Sequence, residues 1–397
     1  MKDDKMRIAV FPSDVFGCGY YRLIQSSEKL IELGHHVDIY MELKEYWKIL
    51  NTPQVRRNPL NPLAPVERVS IPDYDLYHFQ RVTTPLGLTC IKDASKRGVV
   101  LMDIDDDLFH LPPGHPSAWY FRKGKECLKC GNARIRVDEE ECSNCKSTDL
   151  EYQDRTQCTA DAFQYLDALT VSTPELADRF AHSVKRVELI PNFVDMTLYE
   201  NLIDKGDDYC AVGWAGSFTH GSDLAELRDC MHIIHEYDNT FFYSCGEQGI
   251  REIMGGTVKD EQIIDLMPVH ILRYPQLLKN FDIGLAPIID NSFNRGKSEL
   301  KAIEYGAARV PIIASAVAPY VRYVDHGKTG FVCRKPKEWK RYLKQLIENP
   351  DLRKQMGQAN YEKAMTMDIR TRVHEREALY RNLIEERKGS WDKLLTV

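Results

Sequence analysis

Short apolar blocks alternate with stretches of helical period along most of the chain. In the first half, Arg7–Phe11, Val37–Tyr40, Leu76–Phe79, Val99–Met102, Ala168–Val171 and Val187–Leu189 read as strands, being short and rich in Val, Ile, Leu and Phe. Strands separated by helix-length segments do not pair as tight hairpins, so they predict a mostly parallel sheet covered by helices. Apolar density falls between Pro191 and Asp208, which predicts a linker. A second series then follows with Cys210–Trp214, Thr240–Ser244, Asp282–Pro287 and Val310–Ala314. After Glu338 the period is helical to about Lys388, with Asn349-Pro350 dividing two segments. Asn51 to Pro72, rich in proline and asparagine and without a period, reads as a loop. No repeat of solenoid length is present. The two α/β halves are the one duplication signal, and ligands of such sheets bind beyond the carboxyl ends of the strands.

The segment Asn294 to Ser315 carries the most chemistry. On a helix Lys297, Lys301 and Glu304 share one face, while Leu300, Ile303 and Ala307 share another. The apolar block Val310–Ala314 follows at once, which sets this helix at a strand-helix edge of the kind that receives phosphate-bearing ligands. Two readings stand side by side: a solvated charged face with a Lys301–Glu304 ion pair, or a ligand grip.

Composition narrows the class. A chain of 397 residues, 43% hydrophobic and 28% charged, has room for two globular domains with a core each. The net charge of -6 gives no global attraction to nucleic acid or an anionic membrane, so any such binding would be local. No apolar run reaches the roughly eighteen residues of a membrane span, and the polar start Met1 to Lys5 is unlike a signal peptide. A cytoplasmic, soluble protein is the expectation. Of eleven cysteines, seven (Cys18, Cys90, Cys158, Cys210, Cys230, Cys245 and Cys333) are scattered without pairing spacing, which fits a reducing compartment.

The other four cysteines form one motif: Cys127-x2-Cys130, eleven residues, then Cys142-x2-Cys145. Two such knuckles present four thiolates tetrahedrally to one zinc ion, and a closed four-thiolate site leaves no position for water, so the expected Zn2+ is structural. The motif reads as a ribbon inserted at about Arg122 to Tyr152. Its basic residues Arg122, Lys123, Lys125, Lys129, Arg134 and Arg136 stand against Glu139, Glu140 and Glu141. Contact with a polyanion such as DNA and simple loop stabilisation are both open readings of that polarity.

In order along the chain come Arg7-Ile-Ala-Val-Phe11, Gly17-Cys-Gly-Tyr-Tyr-Arg22, Leu169-Thr-Val-Ser-Thr-Pro174, Leu189-Ile-Pro-Asn192, Val212-Gly-Trp-Ala-Gly-Ser217, Phe281-Asp-Ile-Gly-Leu-Ala-Pro287, Glu304-Tyr-Gly-Ala307 and Gly327-Lys-Thr-Gly330. This series resembles retaining nucleotide-sugar glycosyltransferases of the GT-B fold, close to glycosyltransferase family 4. The resemblance implies two Rossmann-like domains facing across a cleft. The first, acceptor-side domain would span residues 1–190 with the zinc ribbon at about 122–152. A linker (191–207), a nucleotide-sugar domain (208–367) and a terminal helix crossing back to the first domain (368–397) would follow.

By the same resemblance Glu304 is the second acid of a Glu-x7-Glu motif and binds the ribose hydroxyls of the donor. The first acid would fall at Gly296, a departure that leaves the donor-sugar contact without an owner. Lys297 is assigned first to the diphosphate, with Arg295 and Lys301 as the nearest other cations. Gly216, Ser217 and His220 fill the phosphate-contacting loop, His220 alternatively being an ordinary loop histidine. Gly17 and Gly19 match the glycine loop of the first domain, and Arg22, one turn into the helix, would face the cleft. Asp105 and Asp106, in Asp103-Ile-Asp-Asp-Asp107 at a strand end, serve catalysis or acceptor binding, or else a helix cap or solvated turn. Leu111 to Pro116 would shape the acceptor site. The implied function is transfer of a hexosyl or pentosyl group from a nucleotide sugar to a hydroxyl of a polysaccharide, a protein, a small molecule or a hydroxylated DNA base. The alternative is a nucleic-acid-binding zinc-ribbon protein on an inactive transferase-like scaffold, and a nucleotide-sugar epimerase of the same fold is a third reading.

Overall fold

The computed structural model describes residues 5–40, 73–246 and 249–395, apart from 113, 116, 119–120, 122, 128, 130–134 and 137. The expected loop from Asn51 to Pro72 lies outside the described residues. The chain divides into two compact units, one of residues 1–191 with 373–397 and the other of residues 192–372. Residues 192–207 therefore belong to the second unit, and the helix Ile369–Leu395 begins in one unit and continues into the other.

Among the described residues the strands, in chain order, are β1 Arg7–Phe11, β2 His36–Ile39, β3 Leu76–Gln80, β4 Val99–Ile104, β5 Lys123–Cys127, β6 Leu150–Asp154, β7 Ala168–Val171, β8 Val187–Leu189, β9 Cys210–Ala215, β10 Thr240–Cys245, β11 Ile263–Leu266, β12 Ile283–Ala286, β13 Ile312–Ser315 and β14 Gly330–Cys333. Six form the first sheet in the order β2-β1-β3-β4-β7-β8, and six form the second in the order β11-β10-β9-β12-β13-β14. Every pair within these sheets is parallel. β5 and β6 make a separate antiparallel pair.

Central strands of a sheet covered on both faces must be apolar on both faces. β4 and β9 accordingly bury every residue. In the first unit Phe11, Phe79, Met102, Ile104 and Val171 pack against helix residues such as Ile91, Phe163 and Phe180. In the second, Val212, Trp214, Phe242, Leu285 and Ile313 pack against Leu227, Met231, Trp339 and Leu346. Burying these side chains is the main stabilising term, about 1.5–3 kcal/mol for each large aliphatic or aromatic group.

β11 and β14 are not among the expected strands. β11 is a four-residue edge strand with an exposed aspartate, and β14 is only Gly-Phe-Val-Cys, so neither carries a long apolar signature. The expected strand Val310–Ala314 starts two residues late because Pro311 has no N–H for the ladder. Helices Pro336–Glu348 and Pro350–Ala364 meet at Asn349-Pro350.

A polar chain crosses the core of the first unit. Arg22 donates to Asp103 from Nε at 3.0 Å and from Nη2 at 2.8 Å, and to the Ile190 carbonyl from Nη1 at 2.6 Å. Thr170 donates to Asp103 at 2.6 Å, His78 Nε2 lies 3.1 Å from Thr170 Oγ1, and His78 Nδ1 lies 2.5 Å from the hydroxyl of Tyr380 on the last helix. Buried polar groups are tolerated only when paired in this way.

Candidate functional site

The second sheet reverses its order at β9, since β10 and β11 build outward on one side and β12, β13 and β14 on the other. A ligand of a doubly wound sheet binds beyond the carboxyl ends at that switch point. Two connections border it, the turn after β9 and the segment after β12.

The turn after β9 is shaped by Trp214, whose side chain is fully buried. A Cβ on Gly216 would stand 2.5 Å from the Trp214 ring, so the chain turns there only as glycine. The hydroxyls of Ser217 and Thr219 lie 2.7 Å apart, and Phe218–His220 makes one 3-10 turn. His220 Nδ1 lies 2.8 Å from Asp223 Oδ2, with its ring edge-on to Trp214 at 6.2 Å between centroids. Burial lowers the His220 pKa, and Lys297 and Lys301 push it the same way against Asp223.

The segment after β12 leads into the helix Leu300–Ala307, which buries Ala302, Ile303, Tyr305, Gly306 and Ala307. Its charged residues are not a solvated face. Glu304 is 6% exposed, and the Lys301 ammonium donates to the Ala215 carbonyl and lies 5.3 Å from the centre of the Trp214 ring. Burial brings the Lys301 pKa down to about 8, despite the neighbouring Glu304 carboxylate.

Lys297 does not share that helix. Asn291 caps a separate short helix, Ser292–Arg295, that ends at Gly296, so Lys297 sits in the turn between the two helices with Nζ 4.6 Å from the Phe293 ring. Arg295 turns to Asp290, exposed, at 2.6 and 3.0 Å, which is a local pairing rather than a free phosphate grip. The same turn is tied down by Asn192, whose Nδ2 donates to Ser298 at 2.7 Å, and by the Arg322–Glu299 pair at 2.8 Å.

In the first sheet the order reverses between β1 and β3. Asp14 Oδ1 accepts from Phe16 N at 2.9 Å and Gly19 N at 3.0 Å. A Cβ on Gly19 would stand 1.7 Å from the Asp14 carbonyl oxygen, so Gly19 is required by its own loop, whereas a Cβ on Gly17 would meet nothing within 4 Å. Arg22 corrects its expected role: at 1% exposed and bound to Asp103, it belongs to the core. Burial drives the Asp103 pKa upward, but the Arg22 guanidinium overrides this and brings it to about 2.

Asp105 and Asp106 lie at the edge of the same sheet beside Arg81. Arg81 Nε donates to Asp105 at 2.7 Å, Nη2 also reaches Asp105, and Asp106 is 3.6 Å away. Arg81 holds a φ of 48°, uncommon for a residue with a side chain. Cys18 joins them, with its sulfur and the two carboxylates mutually within 4.8 Å. Burial raises the Cys18 pKa, so the group is a thiol. Asp107 is the helix cap of this run, accepting from Phe109 N at 3.2 Å. Within Leu111 to Pro116, positions 113 and 116 lie outside the described residues.

β5 and β6 form an antiparallel pair, and the segment they enclose brings Cys127, Cys142 and Cys145 together. Their sulfurs lie within 4.8 Å of one another, with Cys127 and Cys145 3.5 Å apart. Tetrahedral zinc with bonds of about 2.3 Å requires sulfurs about 3.8 Å apart, so the three positions fit. The turn at the second knuckle is closed by Cys142 N donating to Ser147 O and Lys146 N donating to Cys142 O, each at 2.8 Å. Cys130 lies outside the described residues, as do Arg122 and Arg134. Of the described cations, Lys125 donates to the Glu139 carbonyl at 2.7 Å, Arg136 pairs with Asp138 at 3.2 Å and Lys146 with Glu141 at 2.9 Å.

Asp223, Asn294, Trp214 and Arg81 join these sites without having been singled out by pattern. The His220-x2-Asp223 spacing is a one-turn signal that would have found Asp223. Arg81 has no such signal, because its partners come from the next strand.

The family Glycosyl transferases group 1 is matched over residues 300–363, which begins at the helix of Lys301 and Glu304. No curated protein matches the sequence. Among solved structures, sucrose-phosphate synthase from Thermosynechococcus elongatus superposes with a TM-score of 0.62 at 15% identity, covering 96% of this chain and 100% of that one. A glycosyltransferase from Rickettsia africae gives 0.61 at 14% identity over 96% and 99% of the two chains. HepE from Anabaena, solved in complex with UDP and glucose, gives 0.62 at 13% identity over 95% and 100%. At such identities the likeness shows the fold alone: two parallel-sheet α/β units that fit a GT-B fold.

Proposed function

We propose that this protein is a glycosyltransferase that takes its sugar from a nucleotide-sugar donor and holds the nucleotide at the switch point of the second unit. The observation that carries the reading is the family match beginning at residue 300, on a helix whose buried Glu304 stands one turn from Lys301, which donates to Ala215 at the start of the turn of Gly216, Ser217 and His220. The neighbour solved with UDP and glucose supports the donor class. In this reading Glu304 accepts from the ribose hydroxyls, a directional charge-assisted contact. Lys301, Lys297 and His220 meet the diphosphate, whose negative charge grows as the glycosidic bond breaks, so their positive charge lowers the barrier. In this reading Lys301 replaces Lys297 as the first of these, because its half-buried ammonium is fixed to Ala215 at the carboxyl end of β9.

The finer assignments rest on the sequence resemblance. Transfer is retaining, by front-face attack of the acceptor hydroxyl, in an enzyme related to glycosyltransferase family 4. Asp105 and Asp106 sit at the corresponding edge of the acceptor-side unit, where an acceptor hydroxyl would find carboxylate partners. One structural zinc ion is held by Cys127, Cys142 and Cys145 with Cys130 as the fourth ligand. The free thiols among the described residues would suit the cytoplasm, and no helix among the described residues is long and apolar enough to cross a membrane. The acceptor is a hydroxyl of a polysaccharide, a protein, a small molecule or a hydroxylated DNA base.

A panel of nucleotide sugars tests the reading by thermal shift and by slow donor hydrolysis, with product mass spectrometry to identify the sugar and acceptor. One donor should stabilise the protein, and Glu304→Ala should weaken that nucleotide by about 1–3 kcal/mol. Silence toward every donor, together with salt-sensitive DNA binding, would instead support a nucleic-acid-binding protein on a transferase-like scaffold.

A further inference from the structure

Asp223 is 5% exposed and accepts at both oxygens. Oδ2 lies 2.8 Å from His220 Nδ1. Oδ1 accepts from the backbone N–H of Ile289 at 2.9 Å and from Asn294 Nδ2 at 3.2 Å. Asn294 in turn donates from Nδ2 to the Ile289 carbonyl at 2.9 Å, and its backbone N–H donates to the Asn291 side chain at 2.8 Å. One buried carboxylate therefore joins the turn after β9 to the segment after β12, the two connections that border the switch point.

We propose that Asp223 is a positioning residue of the donor site: it fixes His220 with the proton on Nδ1, so that Nε2 is turned to the ligand, and it holds the β12 segment against the His220 turn. This rests on the glycosyltransferase reading only for the identity of the ligand. A carboxylate accepts and does not donate, so the nitrogen facing it must carry the hydrogen. Nε2 of the neutral ring is then bare and becomes a donor to a phosphate oxygen only by taking up a proton. The charged groups acting on the ring are Asp223, which favours that proton, and Lys297 and Lys301, which oppose it. A bound diphosphate would offset both lysines, so nucleotide binding and ring protonation are coupled through the Asp223 contact.

The whole protein labelled with 15N-histidine tests this. At pH 7.5 the His220 ring should show the Nδ1–H form, and addition of UDP should move it toward the doubly protonated form. In Asp223→Asn, whose folding is checked by its melting curve, the Nδ1–H preference should disappear and UDP should bind on the order of 10-fold more weakly, as when a supporting partner of a binding residue is removed. In a His220→Ala background the same substitution should cost less than about 2-fold, since the imidazole is already gone and the amide oxygen of the substituted side chain can still accept from Ile289 and Asn294. An Nε2–H ring in the parent protein, or an equal loss of UDP affinity in both backgrounds, would overturn the assignment. A parent protein that binds no nucleoside diphosphate would overturn the glycosyltransferase reading instead, with the ring tautomer still deciding the role of Asp223.

Discussion

Lys301 is a residue whose chemistry is changed by its surroundings. Its pKa falls from 10.5 to about 8 because burial disfavours the charged form. The sign follows directly: above pH 8 the empty site holds mostly neutral lysine, while a bound diphosphate favours the ammonium and raises its pKa. UDP affinity should therefore fall above pH 8, by up to about tenfold per pH unit, and Lys301→Met should flatten that limb. Titration calorimetry across pH 6.5–9.5, a range set by that value of about 8, measures it; a parent profile as flat as the variant's would contradict it. Folding stability should move oppositely, since the unfolded chain keeps its proton to about 10.5: the cost of burying the ammonium is relieved as pH rises from 8.

Arg22 and Asp103 are the contrasting pair, buried and mutually neutralising at 1% and 0% exposure. Asp103→Ala leaves the guanidinium buried without its carboxylate and should destabilise the first unit by about 3–5 kcal/mol. The depressed Asp103 pKa means its contribution is present above pH 3.8 and is lost as pH falls toward 2. Acid unfolding of the parent followed by circular dichroism should lose this contribution in that window, whereas in the variant it is absent at every pH.

At the scale of elements, the β5–β6 hairpin is too small to have much of a core. Among the described residues, Ile135 is the buried hydrophobic residue of its cluster besides Cys127 and Cys142. Short segments of this kind require a metal or a disulfide for stability. Metal analysis should find one zinc per chain, and chelation or Cys142→Ser should make the hairpin sensitive to protease while the second unit melts unchanged. Stoichiometric metal retained after Cys127, Cys130, Cys142 and Cys145 are all changed to serine would refute the site. The helix Leu300–Ala307 teaches a complementary lesson: spacing alone placed Lys297 on it, but Gly296 ends the preceding short helix, so Lys297 belongs to the intervening turn.

At the scale of the molecule, the first unit is built from both ends of the chain. Tyr380, Leu383 and Ile384 of the last helix are buried, and the Tyr380 hydroxyl meets His78 of β3. Deleting residues 373–397 should therefore lower the melting transition of the first unit and spare that of the second, read by calorimetry; equal loss in both would contradict the division.

The alternation of apolar blocks and helical stretches determined two parallel α/β halves, because burial on both faces of a strand leaves a continuous apolar signature. The CxxC spacing likewise announced a thiol cluster, because local spacing and turn residues bring Cys127, Cys142 and Cys145 together within one short segment. Short edge strands such as β11 and β14 stayed hidden, since their stability comes from pairing with neighbours rather than from their own residues. The roles of polar residues at the site were also decided late. Arg22 and Lys301 look equally available as cations in sequence, yet Asp103, 81 positions away, draws Arg22 into the core, while Ala215, 86 positions away, receives Lys301 at the carboxyl end of β9. Apolar burial is a property of each segment and is written in its pattern, whereas a buried charge is settled by partners that only the tertiary fold brings within reach.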